Sequence, residues 1–267
     1  MLTFAGLADH PDFAVTAVTC RDDHRGWSTE TPRDDVRIVL VRRGGFRRRV
    51  RGADTDLDRT VGYLGLRGEE ERFAHPAGGD TCTSITLTPA LWRGLAGDTA
   101  HPHTSDLYVD ARLDLAHRRL LLAARTGDVG YAGAESLVAL VAGIARRVVA
   151  GAVPGRGASR DRALVAAARA AIGADHPAAA GLLPLAAYLG VSPYRLSRAC
   201  SRELGVPLTR YRNRVRVARA LDRIEAGTPS LAVLAADLGF ADQAHLTRTV
   251  RDHVGHTPTA IRRLLVP

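Results

Sequence analysis

The sequence contains no lysine: all 37 of its basic residues are arginine. Missing lysine together with abundant alanine fits a GC-rich coding bias, which accounts for Arg in place of Lys but not for where the acids thin out. From residue 160 onward there are 16 Arg against 8 Asp plus Glu, whereas residues 1–159 carry 21 Arg against 20 acids. Nearly all of the net charge of +9 therefore sits at the C-terminal end, and a basic region beside a neutral one points to a polyanion as its partner.

Cysteine is scarce as well. Cys20, Cys82 and Cys200 stand far apart with no Cys-x-x-Cys pair, which argues against a disulfide scaffold and for a reducing cytoplasm. The N-terminus lacks a basic stretch leading into an apolar one, so no signal peptide is expected. The longest apolar run, Leu137–Ala145, is too short to cross a bilayer and ends at Arg146-Arg147, so no membrane partner is expected. Also missing are a Gly-rich phosphate loop, a nucleophile elbow and a zinc-protease helix. No catalytic residue and no cofactor are assigned, and the chain is not read as an enzyme.

What is present is enough apolar residue, 46% of 267, for one large domain or two ordinary ones. Ala14–Thr19, Val36–Val41, Phe46–Arg51, Val61–Leu66, Arg72–His75, Thr81–Leu87 and Leu107–Val109 read as short strands, with a hairpin at Gly44-Gly45, and suggest an antiparallel barrel or sandwich. Apolar spacing then changes to three-and-four. Ala111–Arg125 and Gly133–Val149 read as two helices joined at Gly127–Gly130, the second striped by Leu137, Leu140, Val141, Ile144 and Val148. The Gly- and Pro-rich stretch at 151–159 reads as a linker, dividing a first domain at 1–150 from an all-helical one at 160–267.

Two segments of the second domain repeat. Aligning Ala186 with Ala235 also aligns Leu189 with Leu238 and Gly190 with Gly239, an offset of 49. Small Ala permits close helix crossing, Leu faces the shared core, Gly takes the left-handed turn, and Val191 or Phe240 fills the corner. This is a helix-turn-helix pattern, present twice. Ser192-Pro193 and Asp242 are expected to start the two reading helices. Leu196, Ala199, Cys200 and Leu204 of the first, and Leu246, Val250 and Val254 of the second, are expected to face inward. The outward faces then offer Tyr194, Arg195, Ser197, Arg198 and Ser201, and Gln243, His245, Thr247, Arg248 and Arg251, as candidate contacts to double-stranded DNA. Arg matches guanine, Gln adenine, and hydroxyls phosphate. Between the units, Pro207–Ala226 reads as one helix with Tyr211, Val215, Ala218, Leu221 and Ile224 inward, and with a basic surface drawn from Arg210, Arg212, Arg214, Arg216, Arg219 and Arg223.

At these residues the chain resembles the AraC/XylS family of bacterial transcription regulators. The stretch carrying the likeness is Leu234-Ala-Ala-Asp-Leu-Gly-Phe-Ala-Asp-Gln-Ala-His-Leu-Thr-Arg-Thr-Val250 followed by Gly255-His-Thr-Pro258 and Arg262, with Gly190-Val-Ser-Pro-Tyr-Arg-Leu-Ser-Arg198 and Tyr211 agreeing. The chain departs from the family at Ala199 and Val250, taken as the places of large aromatics. The resemblance implies a cupin-like N-terminal barrel followed by two helices, an α+β chain overall, with a small-molecule effector bound in the first domain and a helix pair that allows a homodimer. It further implies RNA polymerase as a partner and an activator more often than a repressor.

Within the first domain, Cys20, His24, His75, Cys82, His101 and His103 are metal-ligand types, but their spacing matches no metal signature, so no metal is assigned; buried thiols and surface histidines explain them more simply. Cys20 and Cys82 could form a redox pair. Alternate arginines of 42–51 could meet an anionic effector, and Glu69-Glu70-Glu71 reads as an exposed turn. The competing reading is an enzyme fused to a DNA-binding domain. A DNA-repair methyl acceptor needs four close cysteines and a cupin oxygenase a His-rich box, and this sequence has neither.

Overall fold

The computed structural model describes residues 1–21, 25–28, 35–76, 78–97, 105–150, 159–228 and 230–266. The chain divides into two compact units, Met1–Gly151 and Ala152–Pro267. Residues 151–158 of the expected linker, and His24, His101 and His103, lie outside the described residues.

The first unit runs β1 (Leu2–His10), β2 (Phe13–Cys20), β3 (Val36–Arg43), β4 (Phe46–Val50), β5 (Ala53–Leu57), β6 (Val61–Gly65), β7 (Glu71–Ala74), β8 (Asp80–Leu87), α1 (Pro89–Ala96), β9 (Asp106–Tyr108), α2 (Ala111–Thr126) and α3 (Ala134–Ala150). Its described strands make two antiparallel sheets, one in the order β1-β2-β8-β3-β6-β9 and one in the order β5-β4-β7. Strand β3 shows how the layers form. Ile38 and Leu40 pack with Val15, Ile85, Trp92, Leu120 and Leu137 on the helical side, while Val39 and Val41 pack with Phe46, Leu57, Tyr63 and Cys82 toward the small sheet. A strand covered on both faces reads as an unbroken apolar run, which is how Val36–Val41 stands out in the sequence.

Gly44-Gly45 is not a hairpin. There the chain leaves one sheet for the other: β3 pairs with β6 and β8, and β4 with β5 and β7. A Cβ on Gly44, whose φ is +69, would lie 2.4 Å from the Gly79 carbonyl oxygen, and one on Gly45 would lie 2.7 Å from that of Leu57. The two glycines let backbones pass at contact distance, a need that looks the same in sequence as a tight turn.

Helix α2 starts on the Asp110 side chain and ends at left-handed Gly127, and a single π turn at Val129–Gly133 leads into α3. The stretch Val129–Val148, mean hydropathy 1.2, is long and apolar enough to cross a membrane by length and composition. Its stripe of Leu137, Leu140, Val141, Ile144 and Val148 is buried in the core beneath the large sheet.

The β4 arginines are engaged within the protein. Arg48 is 1% exposed, donating to Glu71 at 2.7 Å and Ser105 at 3.0 Å with its guanidinium 4.3 Å from the Tyr63 ring centre. Arg37 shares the same Glu71. Arg47 and Arg49 pair with Asp54, and Arg47 also with Asp56. Two expectations are corrected here: Glu71 is buried and Glu69 half-buried with its side chain drawn into this network, rather than both lying in an exposed turn, and His75 is buried rather than on the surface.

The second unit runs α4 (Ser159–Gly173), a 3-10 turn (Pro177–Ala180), α5 (Leu182–Tyr188), α6 (Pro193–Leu204), α7 (Leu208–Glu225), α8 (Leu231–Asp237), α9 (Gln243–Val254) and α10 (Pro258–Leu265). Helix α4 packs on α6 and α7, and α10 packs on α7 and α9.

Candidate nucleic-acid interface

The two turns of the second unit are built alike. Helix α5 ends at Gly190, φ +66, with Gly190 N–H donating to Ala187 at 3.1 Å and Val191 N–H to Ala186 at 3.0 Å. Helix α8 ends at Gly239, φ +67, with Gly239 N–H donating to Ala236 at 3.0 Å and Phe240 N–H to Ala235 at 2.8 Å. These bonds satisfy the last carbonyls of each helix and turn the chain sharply. The reading helices then begin on side chains: Ser192 Oγ accepts from Arg195 N–H at 3.2 Å, and Asp242 Oδ1 from His245 N–H at 2.6 Å. Thr257 caps α10 in the same way.

The offset of 49 holds only as far as the turn glycine. From the caps onward it is 50, Ser192 matching Asp242, because the second turn contains one more residue. Buried Leu196, Cys200 and Leu204 thus correspond to Leu246, Val250 and Val254. The counterpart of Val250 is Cys200, not Ala199, so the two departures singled out in the sequence are not equivalent positions. Arg198 and Arg248, however, are equivalent, as are Ser197 and Thr247.

Both arginines of that pair are exposed. Arg198 Nη1 donates to the Tyr194 hydroxyl at 2.8 Å, and Tyr194 itself is 70% exposed. Ser201, Gln243 and Arg251 are exposed, and Ser197 and Thr247 are half-buried. Arg195 leans toward α4, its guanidinium 3.8 Å from Asp161, which Arg202 also bonds at 3.1 Å. His245 faces the turn, its ring edge-on to Phe240 at 5.4 Å.

Residues 185–264 match the family model for a helix-turn-helix domain. This stretch is an AraC-type helix-turn-helix domain. A chain that carries an AraC-type domain is a DNA-binding transcription regulator. No curated protein matches the sequence. Among solved structures the chain is similar to Vibrio cholerae ToxT with an unsaturated fatty acid bound, at 10% identity over 97% of this chain and 98% of that one, TM-score 0.40. It is also similar to an AraC-type regulator from Chromobacterium violaceum, 23% identical over 41% of this chain and 97% of that one, TM-score 0.37. A third likeness is to the C-terminal domain of AraT, a response regulator from Geobacillus stearothermophilus, 26% identical over 39% of this chain and 88% of that one, TM-score 0.36.

The linking helix α7 of the AraC-type domain corrects the expected basic surface. Arg214 is 1% and Arg216 8% exposed, so both lie in the interior. Arg219 bonds Asp175 and the Gly173 carbonyl, and Arg223 bonds Asp237 at 3.1 Å. Arg210 remains exposed and Arg212 half-buried. Inward Tyr211, Ala218, Leu221 and Ile224 stand as expected, while Val215 is only half-buried. Sequence periodicity places Arg outside by default. It carries no sign that the corner at Leu238–Phe240 needs a guanidinium beneath it.

Proposed function

We propose that the chain is an effector-responsive transcription activator of the cytoplasm whose residues 160–267 read operator DNA through α6 and α9, and that it has no enzymatic activity. Tyr194, Ser197, Arg198, Ser201, Gln243, Thr247, Arg248 and Arg251 make the contacts, and Arg195 and His245 contribute by holding the two helix starts. The observation that carries this reading is the equivalence of Arg198 and Arg248: two capped helices of one chain expose a guanidinium at the same position, where each can bond guanine bidentately in the major groove. Helix α7, 18 residues and so about 27 Å long, spaces them for successive grooves roughly 34 Å apart.

Residues 1–150 serve as the sensing domain. A cleft of about 510 Å³ lined by Arg49, Arg51, Arg67 and Arg72 against Glu69 and Glu70 has a net positive lining that suits an anionic effector, and exposed Tyr131 and Val138 offer apolar surface to a second copy. RNA polymerase is the partner of the DNA-bound chain. Mapping the chain's sites across its genome, then measuring transcription from those promoters with and without it, tests the reading. Higher transcription with the chain present is expected; purified chain that binds none of the mapped sites would overturn it.

A further inference from the structure

Soft side chains that look scattered in the sequence meet at one end of the two-sheet layer. Cys20 closes β2, His75 follows β7, and Asp80 and Cys82 open β8. Cys20 lies directly opposite Asp80, and Val18 opposite Cys82. Residues two apart on a strand share a face, so Cys20, Asp80 and Cys82 point to the same side, the one that holds Cys82 in the apolar layer between the sheets. One donor atom each from Cys20, His75 and Asp80 lie within 4.8 Å of one another. Cys82 Sγ is 2.8 Å from Asp80 Oδ2, and all four residues are buried.

Gly78 and Gly79, just ahead of Asp80, hold this arrangement. Gly78 has φ +93, and a Cβ on Gly79 would lie 2.3 Å from the Cys20 carbonyl oxygen, so any side chain at 79 would drive Asp80 away from Cys20. Phe46 stacks on the His75 ring, centroids 5.5 Å apart, which orients Nε2 to within 3.0 Å of Asp80 Oδ1. The Asp80 side chain is 3% exposed, and its Oδ1 makes no well-formed hydrogen bond. Its only ion-pair neighbour among the described residues is that imidazole. A carboxylate so placed among thiols and aromatic rings is costly unless a cation compensates it.

We propose that Cys20, His75, Asp80 and Cys82 form a binding site for a divalent cation of the zinc type. Two sulfurs, an imidazole nitrogen and a carboxylate oxygen are the donor set of a tetrahedral zinc site, and with all four positions filled by protein the site is structural rather than catalytic. Bond lengths of about 2.0–2.3 Å set tetrahedral ligand atoms roughly 3.3–3.8 Å apart; Cys20, His75 and Asp80 already lie within 4.8 Å of one another, and Cys82, on Asp80, would turn in to complete the set. Binding forms four metal–ligand bonds and releases the two thiol protons to solvent. The ion then ties the end of β2, the β7–β8 turn and the start of β8 into one unit. This proposal reverses the expectation drawn from sequence spacing, and it stands independently of the regulator reading.

The test is a titration of the reduced, metal-free full-length chain with Co²⁺, whose spectrum reports its ligands, followed by Zn²⁺. We expect one Co²⁺ per chain, a thiolate-to-cobalt charge-transfer band and the intense visible bands of a tetrahedral site, all bleached by one equivalent of Zn²⁺. Bound Zn²⁺ should also raise the thermal midpoint of the first unit. Cys200→Ser should keep every feature. Cys82→Ser should weaken Zn²⁺ binding more than about 100-fold, since losing outer-shell partners alone costs 10–100-fold. The wild-type spectrum decides the matter even where that variant does not fold. Absence of the charge-transfer band, or a weak octahedral spectrum, overturns the site, as does Cys20–Cys82 disulfide formation in place of metal uptake.

Discussion

The guanidinium carbon of Arg216 lies 3.8 Å from the centre of the Phe240 ring. From there Nε donates to the Leu238 carbonyl at 2.9 Å, so one buried side chain of α7 both supports the corner residue of the second turn and bonds the end of α8. Burial, with the charge of Arg212 adding and Asp175 opposing, lowers its pKa to about 10, which leaves it charged at neutral pH. Arg216→Ala should destabilise the second unit by about 1–3 kcal/mol, the range for a hydrogen bond to a charged group plus a cation–π contact. It should also weaken DNA binding although Arg216 touches no base. Arg216→Lys should not restore either property, because an ammonium cannot stack flat on the ring while bonding the carbonyl. Urea unfolding and anisotropy titration with an operator fragment measure the two effects; an alanine variant unchanged in both would contradict this role.

Arg198→Ala and Arg248→Ala should each weaken operator binding by about 1–3 kcal/mol if they read bases. Tyr194→Phe keeps the ring but removes the acceptor of the Arg198 bond, and it should cost less than Arg198→Ala. Binding should fall steeply as salt rises, since arginine–phosphate contacts release counterions. Unchanged affinity in both arginine variants at fixed salt would defeat the assignment of those residues.

Much of the second unit is legible in the sequence because its signals are local. Ser192-Pro193, Gly190, Gly239, Asp242 and Thr257 each report a cap or a turn through their own chemistry, and the structure puts each where that chemistry requires. The one-residue lengthening at Ala241 is not legible in the repeat: aligning the glycines hides it, and only the caps reveal it. The first unit is harder because its determinants are non-local. Strand β1 is an edge whose first five residues are exposed, and β5, Ala-Asp-Thr-Asp-Leu, alternates but carries a single large apolar residue, so neither stands out as a half-buried strand. Helix α1 leaves little signal in the sequence beyond Thr88, which caps it ahead of Pro89. The meeting of Cys20 with His75, Asp80 and Cys82 depends on strand register, which no spacing rule encodes.

The Arg48–Glu71 pair makes a sharp stability prediction. Removing one partner of a buried ion pair and stranding the other costs about 3–5 kcal/mol; because Arg37 still bonds Glu71, the cost here should fall toward the lower end of that range. Arg48→Ala should therefore lower the first unit's unfolding midpoint far more than Arg72→Ala, whose exposed pair with Glu70 is worth about 0–1 kcal/mol. Equal effects in thermal melts would show that the network contributes little.

His117 should make the first unit acid-sensitive. Burial lowers its pKa to about 4, with Arg42, Arg118 and Arg59 acting in the same direction and Asp114 opposing. The unfolded imidazole takes its proton near pH 6.5 and the folded one only near 4, so the unfolded state binds more protons between these values and stability falls as pH drops through that window. The full loss is about 3 kcal/mol by this linkage, roughly 2 of it by pH 5. Urea midpoints at pH 7.5 and 5 should differ less in His117→Asn than in the wild type; an identical difference would place the acid sensitivity elsewhere.

The most direct test of paired reading by α6 and α9 is guanine-N7 methylation interference on a mapped operator, comparing wild type with Arg198→Ala and Arg248→Ala. Two clusters of interfering major-groove guanines are expected on one face of the duplex, about 10 base pairs apart, with each variant losing sensitivity in one cluster only. A single cluster that responds to one arginine and not to the other would contradict the account.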